Sequence, residues 1–321
     1  MDVTQLNDII KSSKNILITS HINPDGDTLG SMCGMYSLIE INFKKRCDML
    51  AVSKIPKMYE FLPNIKLVKH IDDIDKSREY DLVINVDIAS IERICDGKIL
   101  FDKAKTTVNI DHHKTNICYG DINFVEGDAS STAEIVYAIA KESNWKIDYN
   151  SATCLFTGIL TDTGSFKFDN TTSRSLRYAA EMIDMGLSTS EMYKRCFETQ
   201  SKNMVLFQSY CVSKAVFLDD DKIAYTTVYK KDMEKFQGED DFTEGLTEKL
   251  RAIMSTQVAF VAKEMNNGWC KISMRSKSID VAEICGVFGG GGHKFAAGCT
   301  MKYGMEESIK KILHEIRKQK L

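Results

Sequence analysis

Three apolar, β-rich runs near the start of the chain each lead directly into acidic or imidazole residues. Ile16-Leu17-Ile18-Thr19 continues into Ser20-His21-Ile22-Asn23-Pro24-Asp25-Gly26-Asp27, Leu82–Val86 into Asp87, and residues 107–110 into Asp111-His112-His113. With a fourth run at 46–52, they alternate with helical patterns such as residues 29–39. Alternation of this kind specifies an α/β domain in which a parallel sheet is flanked by helices. Ligands bind such sheets beyond the carboxyl ends of the strands, where each of these polar residues falls. Gly30, Ser31 and Gly34 give the first long helix small residues, expected to pack closely on the sheet.

The segment 130–186 reads as mainly helical, with a capping box at Ser131 and Glu134 and Gly186 closing a run that begins near Ser173. A second box, Ser188 and Glu191, opens a polar helical stretch of about twenty residues. Beyond it come a hairpin around an acidic turn (Asp219 to Asp221), a helix near 243–253, a strand near 257–263, an Asn-Asn-Gly turn and a strand at 269–274. Helix 281–287, the tract GGGGHKFAAG, a short strand and a basic amphipathic helix complete the chain. A length of 321 residues suits two domains. The expected division is a metal-binding domain at 1–187, a helical linker at 188–210, and a smaller, substrate-binding α/β domain with a mixed sheet at 211–321.

A formal charge of −3 argues against a protein that coats long duplex nucleic acid, so any nucleic-acid substrate should be short or held by a local patch. No apolar run is long enough to span a bilayer. The opening MDVTQLNDIIKSSKN reads as an amphipathic helix and not as a secretory leader. The ten cysteines form no CxxC pair, and Cys33, Cys154 and Cys285 lie in apolar helical patterns as buried thiols would. These features point to the cytoplasm.

Asp162, in GILTDTGSF, ends an apolar helical pattern and adds a further carboxylate. Alone, Asp25-Gly26-Asp27 would be a turn, and it lacks the ligand spacing of an EF-hand. The His112-His113 pair by itself would be a solvated or structural pair. Together, carboxylates and imidazoles converging on one sheet edge repel or stay unpaired unless a cation neutralises them. Hard oxygen donors mixed with imidazole suit manganese and related divalent ions. Seven candidates (His21, Asp25, Asp27, Asp87, His112, His113 and Asp162) exceed one ion's needs and suggest two ions, about 3.5–4 Å apart, sharing a carboxylate. Hydrolysis of a phosphate ester is the reaction that such a pair serves.

Gly289, Gly290, Gly291 and Gly292 precede His293, and consecutive glycines can expose backbone N–H groups to a phosphate. A flexible tether is the alternative for such a run. Arg275, Ser276 and Lys277 offer a bidentate fork and further donors. Between Lys263 and Lys302 lie six Lys or Arg and three Asp or Glu, a local positive patch. His70, His314 and the acidic patches at 219–221 and 239–241 read as surface features.

The segments HINPDGDTLGS, NVD, NIDHHKTN and TDTGSF resemble, in order, the signature motifs of the DHH phosphoesterase superfamily, and INFVEGDASSTAEIVY resembles its segment between the third and fourth. RSK and GGGGH resemble the DHH-associated C-terminal domain of NrnA-type oligoribonuclease/pAp phosphatases, so the likeness covers nearly the whole chain. It implies a manganese pair, one ion on His21, Asp25 and Asp87 and the other on Asp27, Asp87, His112 and Asp162. It further implies that His113 faces the substrate phosphate and that Asp111 orients a histidine. The activity implied is degradation of very short RNA and dephosphorylation of 3′-phosphoadenosine 5′-phosphate (pAp). Arg275, Ser276, Lys277, Gly290, Gly291, Gly292 and His293 would then hold the far phosphate. Hydrolysis of cyclic di-AMP or pApA is the alternative, and a non-catalytic nucleotide- or RNA-binding module is the alternative outside enzymes. Homodimerisation stays open.

Overall fold

The computed structural model describes residues 3–319, so Met1 and Asp2 of the expected N-terminal helix lie outside the described residues. The chain forms two compact units, one ending at Thr199 and the other starting at Gln200.

The first unit opens with α1 (Val3–Ser12), β1 (Ile16–Thr19), α2 (Gly26–Phe43), β2 (Asp48–Ala51) and β3 (Val68–His70). It continues through β4 (Leu82–Val86), α3 (Lys98–Phe101), β5 (Thr107–Asp111) and β6 (Ile122–Val125) to α4 (Thr132–Glu142), α5 (Tyr149–Asp162), α6 (Ser173–Asp184) and α7 (Thr189–Phe197). The strands form one parallel sheet in the order β3-β2-β1-β4-β5-β6. Strands β1 and β4 are buried at every position because both faces are covered, which is why they read as continuous apolar runs. Ile16, Ile18, Leu82, Ile84 and Val86 join the larger core with α2, α4 and α5. Leu17 and Val83, one residue out of phase, join a smaller one with Leu50, Tyr80 and Leu100. The winding direction reverses between β1 and β4, so a crevice opens beyond their carboxyl ends.

Helix α2 starts earlier than its apolar pattern suggests, because Asp25 caps it through the N–H groups of Asp27 and Thr28. Its small residues serve a different neighbour from the one expected. A Cβ on Gly30 would lie 2.5 Å from the Cys154 carbonyl oxygen, and one on Gly34 would meet Leu155, so the close packing is against α5 and not the sheet. The Ser131 box is only half formed. Ser131 accepts from the Glu134 N–H, but the Glu134 carboxylate turns to the Ser130 N–H and hydroxyl and to Arg174.

The polar stretch after Ser188 is two helices, α7 and then α8 (Lys202–Ser213), broken before the new cap Ser201 and falling in different units. The second unit also contains β7 (Val216–Leu218), β8 (Ile223–Val228), α9 (Lys230–Lys235), α10 (Leu246–Arg251), β9 (Val258–Glu264) and β10 (Cys270–Ser276). It ends with α11 (Val281–Gly286), β11 (Gly291–His293), β12 (Ala296–Met301) and α12 (Met305–Lys318). Its sheet runs β11-β12-β10-β9-β8-β7 and is mixed, with β8 and β9 parallel and the other pairs antiparallel. One face packs on α11 and α12 through Ile284, Ile312 and Ile316. The other packs on α8 and α10 through Phe207, Leu246 and Leu250.

Candidate metal centre

The crevice between β1 and β4 is lined by acids that local structure holds in place. Asp25 is fixed as the N-cap of α2. Asp27, in the first turn, is buried, and its two oxygens accept from the N–H groups of Thr132 (2.7 Å) and Ala133 (2.9 Å). Those are the first N–H groups of α4, whose dipole favours a negative charge there. Asp87 terminates β4 with φ of 61°, a left-handed conformation uncommon for a residue other than glycine. Its N–H donates to Ile110 O at 2.9 Å. Thr28 Oγ1 lies 2.6 Å from Asp87 Oδ2 and 2.7 Å from His21 Nε2, and Thr132 Oγ1 donates to Asp87 Oδ1.

The imidazoles come from two strand ends. His21 Nε2 is 3.4 Å from Asp87 Oδ2. His112 Nε2 lies 3.5 Å from Asp162 Oδ2, 3.6 Å from Asp87 Oδ1 and 3.9 Å from Asp27 Oδ2. His113 Nδ1 is 2.7 Å from Asp111 Oδ1. Donor atoms gather in three sets, each within 4.8 Å: His21, Asp25 and Asp87; Asp27, His112 and Asp162; and Asp87, His112 and His113. Asp87 and His112 each belong to two sets.

The electrostatics show what this arrangement needs. Burial, and then the negative Asp87, push the Asp27 carboxyl up to about 7. Burial and the charges of Asp27 and Asp87 raise Asp162 well above the usual carboxylate range. Burial also opposes charge on Asp87, but the His21 contact and the charge of His112 outweigh it and hold that carboxyl low. For His112, burial disfavours the cation, yet Asp27 and Asp87 together raise its pKa. For His113, burial is likewise overcome, by the bond to Asp111. Buried acids that cannot all ionise in their own company fit a site for cations. Oxygen and imidazole donors, with no thiolate among them, fit hard or borderline divalent ions, and the number of donors fits two.

In the second unit, Arg275 donates from Nε to Glu248 Oε1 (2.7 Å) and from Nη1 to Met274 O (3.0 Å). Lys277 Nζ donates to Ile253 O, and Ser276 is buried, its hydroxyl oxygen accepting from the Ser278 and Ile279 N–H groups. The glycine tract is partly regular. Gly291, Gly292 and His293 form the exposed edge strand β11 paired to β12, while Gly289 ends the turn at 287–289 and Gly290 links it to the strand. Gly290 lies against Gly298 O and Cys299, where a Cβ would not fit.

The model of the DHH family N-terminal domain matches residues 15–159, and that of the DHHA1 domain matches residues 220–320. A Streptococcus mutans protein named probable bifunctional oligoribonuclease and PAP phosphatase NrnA is 30% identical, over 93% of each chain. The chain belongs to the DHH family. A Bacillus subtilis protein named bifunctional oligoribonuclease and PAP phosphatase NrnA is 29% identical over 95% of each chain. An exopolyphosphatase-related protein from Bacteroides fragilis has the same fold, with a TM-score of 0.93 over 98% of this chain and 95% of that one, at 23% identity.

The crevice of this DHH protein also contains residues outside the set expected from the sequence. Thr28 and Thr132 touch Asp87, Asn116 touches Asp111, and Arg93 Nη2 lies 3.2 Å from His21 Nδ1. Thr28 and Asn116 stand inside the motif segments, at HINPDGDT and NIDHHKTN, so their sequence position was the available signal. Arg93 carries no such mark. It is brought in by the Ile22 N–H, which donates to its carbonyl at 2.9 Å.

Proposed function

We propose that this protein is a phosphoesterase that degrades very short RNA and removes the 3′-phosphate of pAp, with two divalent ions, manganese foremost. The observation that carries the reading is the sharing of Asp87 and His112 between three converging donor sets at the β1/β4 crevice. The names of relatives spanning 93–95% of the chain supply the substrate class. His21, Asp25 and Asp87 would hold one ion, and Asp27, Asp87, His112 and Asp162 the other. Such a pair supplies neutralisation of the charge developing at phosphorus and an activated water.

The chain's own groups do the rest. Thr28 and Thr132 orient the two Asp87 oxygens, and the first N–H groups of α4 fix Asp27. Asp111 holds the Nδ1 edge of His113, and this imidazole is proposed to face the ester phosphate. In the DHHA1 unit, Arg275, Lys277, the edge strand with Gly291, Gly292 and His293, and the adjoining Gly290 and Ser276 are proposed to hold a second phosphate. The Arg275 Nη2 edge supports this, because the fork's contacts to Glu248 and Met274 use Nε and Nη1. Ten free cysteines, seven of them buried, support residence in the reducing cytoplasm.

Parallel assays in manganese with pAp, RNAs of about two to five nucleotides, pApA and cyclic di-AMP test the substrate assignment through kcat/KM. The highest values are expected for pAp and the short RNAs. A tenfold preference for pApA or cyclic di-AMP, or no hydrolysis of any substrate, would overturn it.

A further inference from the structure

We propose that Asn116 is a positioning residue of the metal centre, one that holds the Asp111–His113 pair and the left-handed backbone at Asp87 in a single geometry. The inference rests on the phosphoesterase reading above. It starts from the orientation of the Asn116 amide. Its Oδ1 accepts from the Cys118 N–H at 2.7 Å, an Asx-type turn that settles which end of the amide faces inward. Nδ2 therefore points to the crevice, where it lies 2.6 Å from Asp111 Oδ2, 3.1 Å from Asn109 Oδ1 and 3.2 Å from Ile88 O.

Two consequences follow from those contacts. Asp111 is fully buried, and with Oδ2 taken by Asn116 its Oδ1 is the oxygen turned to His113 Nδ1. The second concerns the peptide beside Asp87. Ile88 O receives Asn116 Nδ2, Asn109 Nδ2 (3.1 Å) and Tyr119 Oη (2.9 Å), three donors on a carbonyl with two lone pairs. That carbonyl belongs to the residue after Asp87, whose φ is 61°. Sparsely populated backbone persists where surrounding bonds over-determine it, and here they do. Asn116 is the residue common to both networks; its side-chain amide bonds to Asp111, Asn109 and Ile88 and not to the groups proposed to hold the ions, while its backbone N–H donates to the His113 carbonyl at 3.1 Å. Its role is thus to hold, not to react.

A simple turn-forming role is separable from this one. Asn116→Asp keeps an oxygen for the Cys118 N–H but replaces the inward amide by a second carboxylate oxygen facing Asp111, whereas Asn116→Ala removes both ends. Steady-state kinetics on the best substrate of the panel, in manganese, should show kcat reduced roughly ten- to hundredfold in both variants with KM within about twofold. Tyr119→Phe, which removes one donor from Ile88 O and leaves Asp111 untouched, should lose less than about threefold. An Asn116→Asp protein with kcat near wild type would overturn the proposal, since a turn-former is rescued by that change. Should Asn116→Asp not fold, ¹⁵N-histidine NMR of Asn116→Ala decides the matter: a shifted His113 Nδ1 resonance is expected, and an unchanged one rejects the role. The same spectrum separates the two readings, because it reports on Asn116 even if the wild-type protein hydrolyses none of the substrates.

Discussion

Asp87 combines full burial, a low carboxyl pKa and a left-handed backbone, three properties that rarely coincide in one residue. Asparagine tolerates the same backbone region and can accept from Thr28, but carries no charge. Asp87→Asn is therefore expected to keep the fold, with a melting temperature close to wild type, and to lose measurable turnover. Gly158 guards the neighbouring acid. A Cβ there would lie 2.8 Å from Asp27 Oδ1 and 2.5 Å from Ala133 Cβ, so Gly158→Ala should destabilise the first unit by about 1–3 kcal/mol in denaturant titration. At Arg275 the pair with Glu248 is about one-third exposed, so Arg275→Ala should change stability by less than ~1 kcal/mol. Its KM should rise instead. The acids and histidines were legible because each follows an apolar strand or helix where a ligand site belongs. Thr28 and Arg93 were not, since their importance lies in contacts with Asp87 and His21, segments remote from them in the chain; Asn116 stands only five residues from Asp111, but the direction of its amide is set by the folded turn at Cys118.

At the scale of elements, burial on both faces made β1 and β4 easy to read as strands, and capping residues located α4, α6 and α7. Strands β3 and β6 escaped because they are three and four residues long, and neither is buried throughout. The ends of α2 depend on Asp25 and on the left-handed Lys44, and neither interrupts the apolar pattern. Helix α4 is tied to α6 by Arg174, which contacts Glu134 and donates to Glu126. Glu134 has no exposed side chain while Arg174 is 34% exposed, so Arg174→Ala strands a buried carboxylate. A loss of about 3 kcal/mol is expected, the low end for a broken buried pair, and the Asp27 cradle at the start of α4 should loosen with it. At the start of β2, burial raises the Asp48 carboxyl, but bonds from Lys69 and Tyr80 and the charge of Arg78 outweigh it and leave it below the ordinary value. A group depressed on folding stabilises above its unfolded pKa, and that stabilisation disappears as pH falls through the folded value. Wild type should thus lose stability below about pH 4 more steeply than Asp48→Asn.

For the whole molecule, two units with separate cores explain why the sequence reads as two α/β patterns in succession. The exact division was not legible, because α7 and α8 are both polar enough to pass for one helix, and only the break at Ser201 distinguishes them. The proposed metal centre draws all its donors from the first unit. Ions that bind the folded state alone should stabilise that unit by about 2.7 kcal/mol at a hundredfold excess over Kd. In calorimetry, chelator should lower the transition of the first unit and added manganese should restore it.

The central claim is that a pair of ions shared across Asp87 drives phosphate-ester hydrolysis. Its most direct test is to titrate metal-free protein with manganese while measuring ions bound per chain and pAp hydrolysis together. Turnover should appear as the second ion binds, and Asp87→Asn should bind fewer than two and hydrolyse nothing. Full turnover in chelator, or saturation of activity by a single ion, would contradict it.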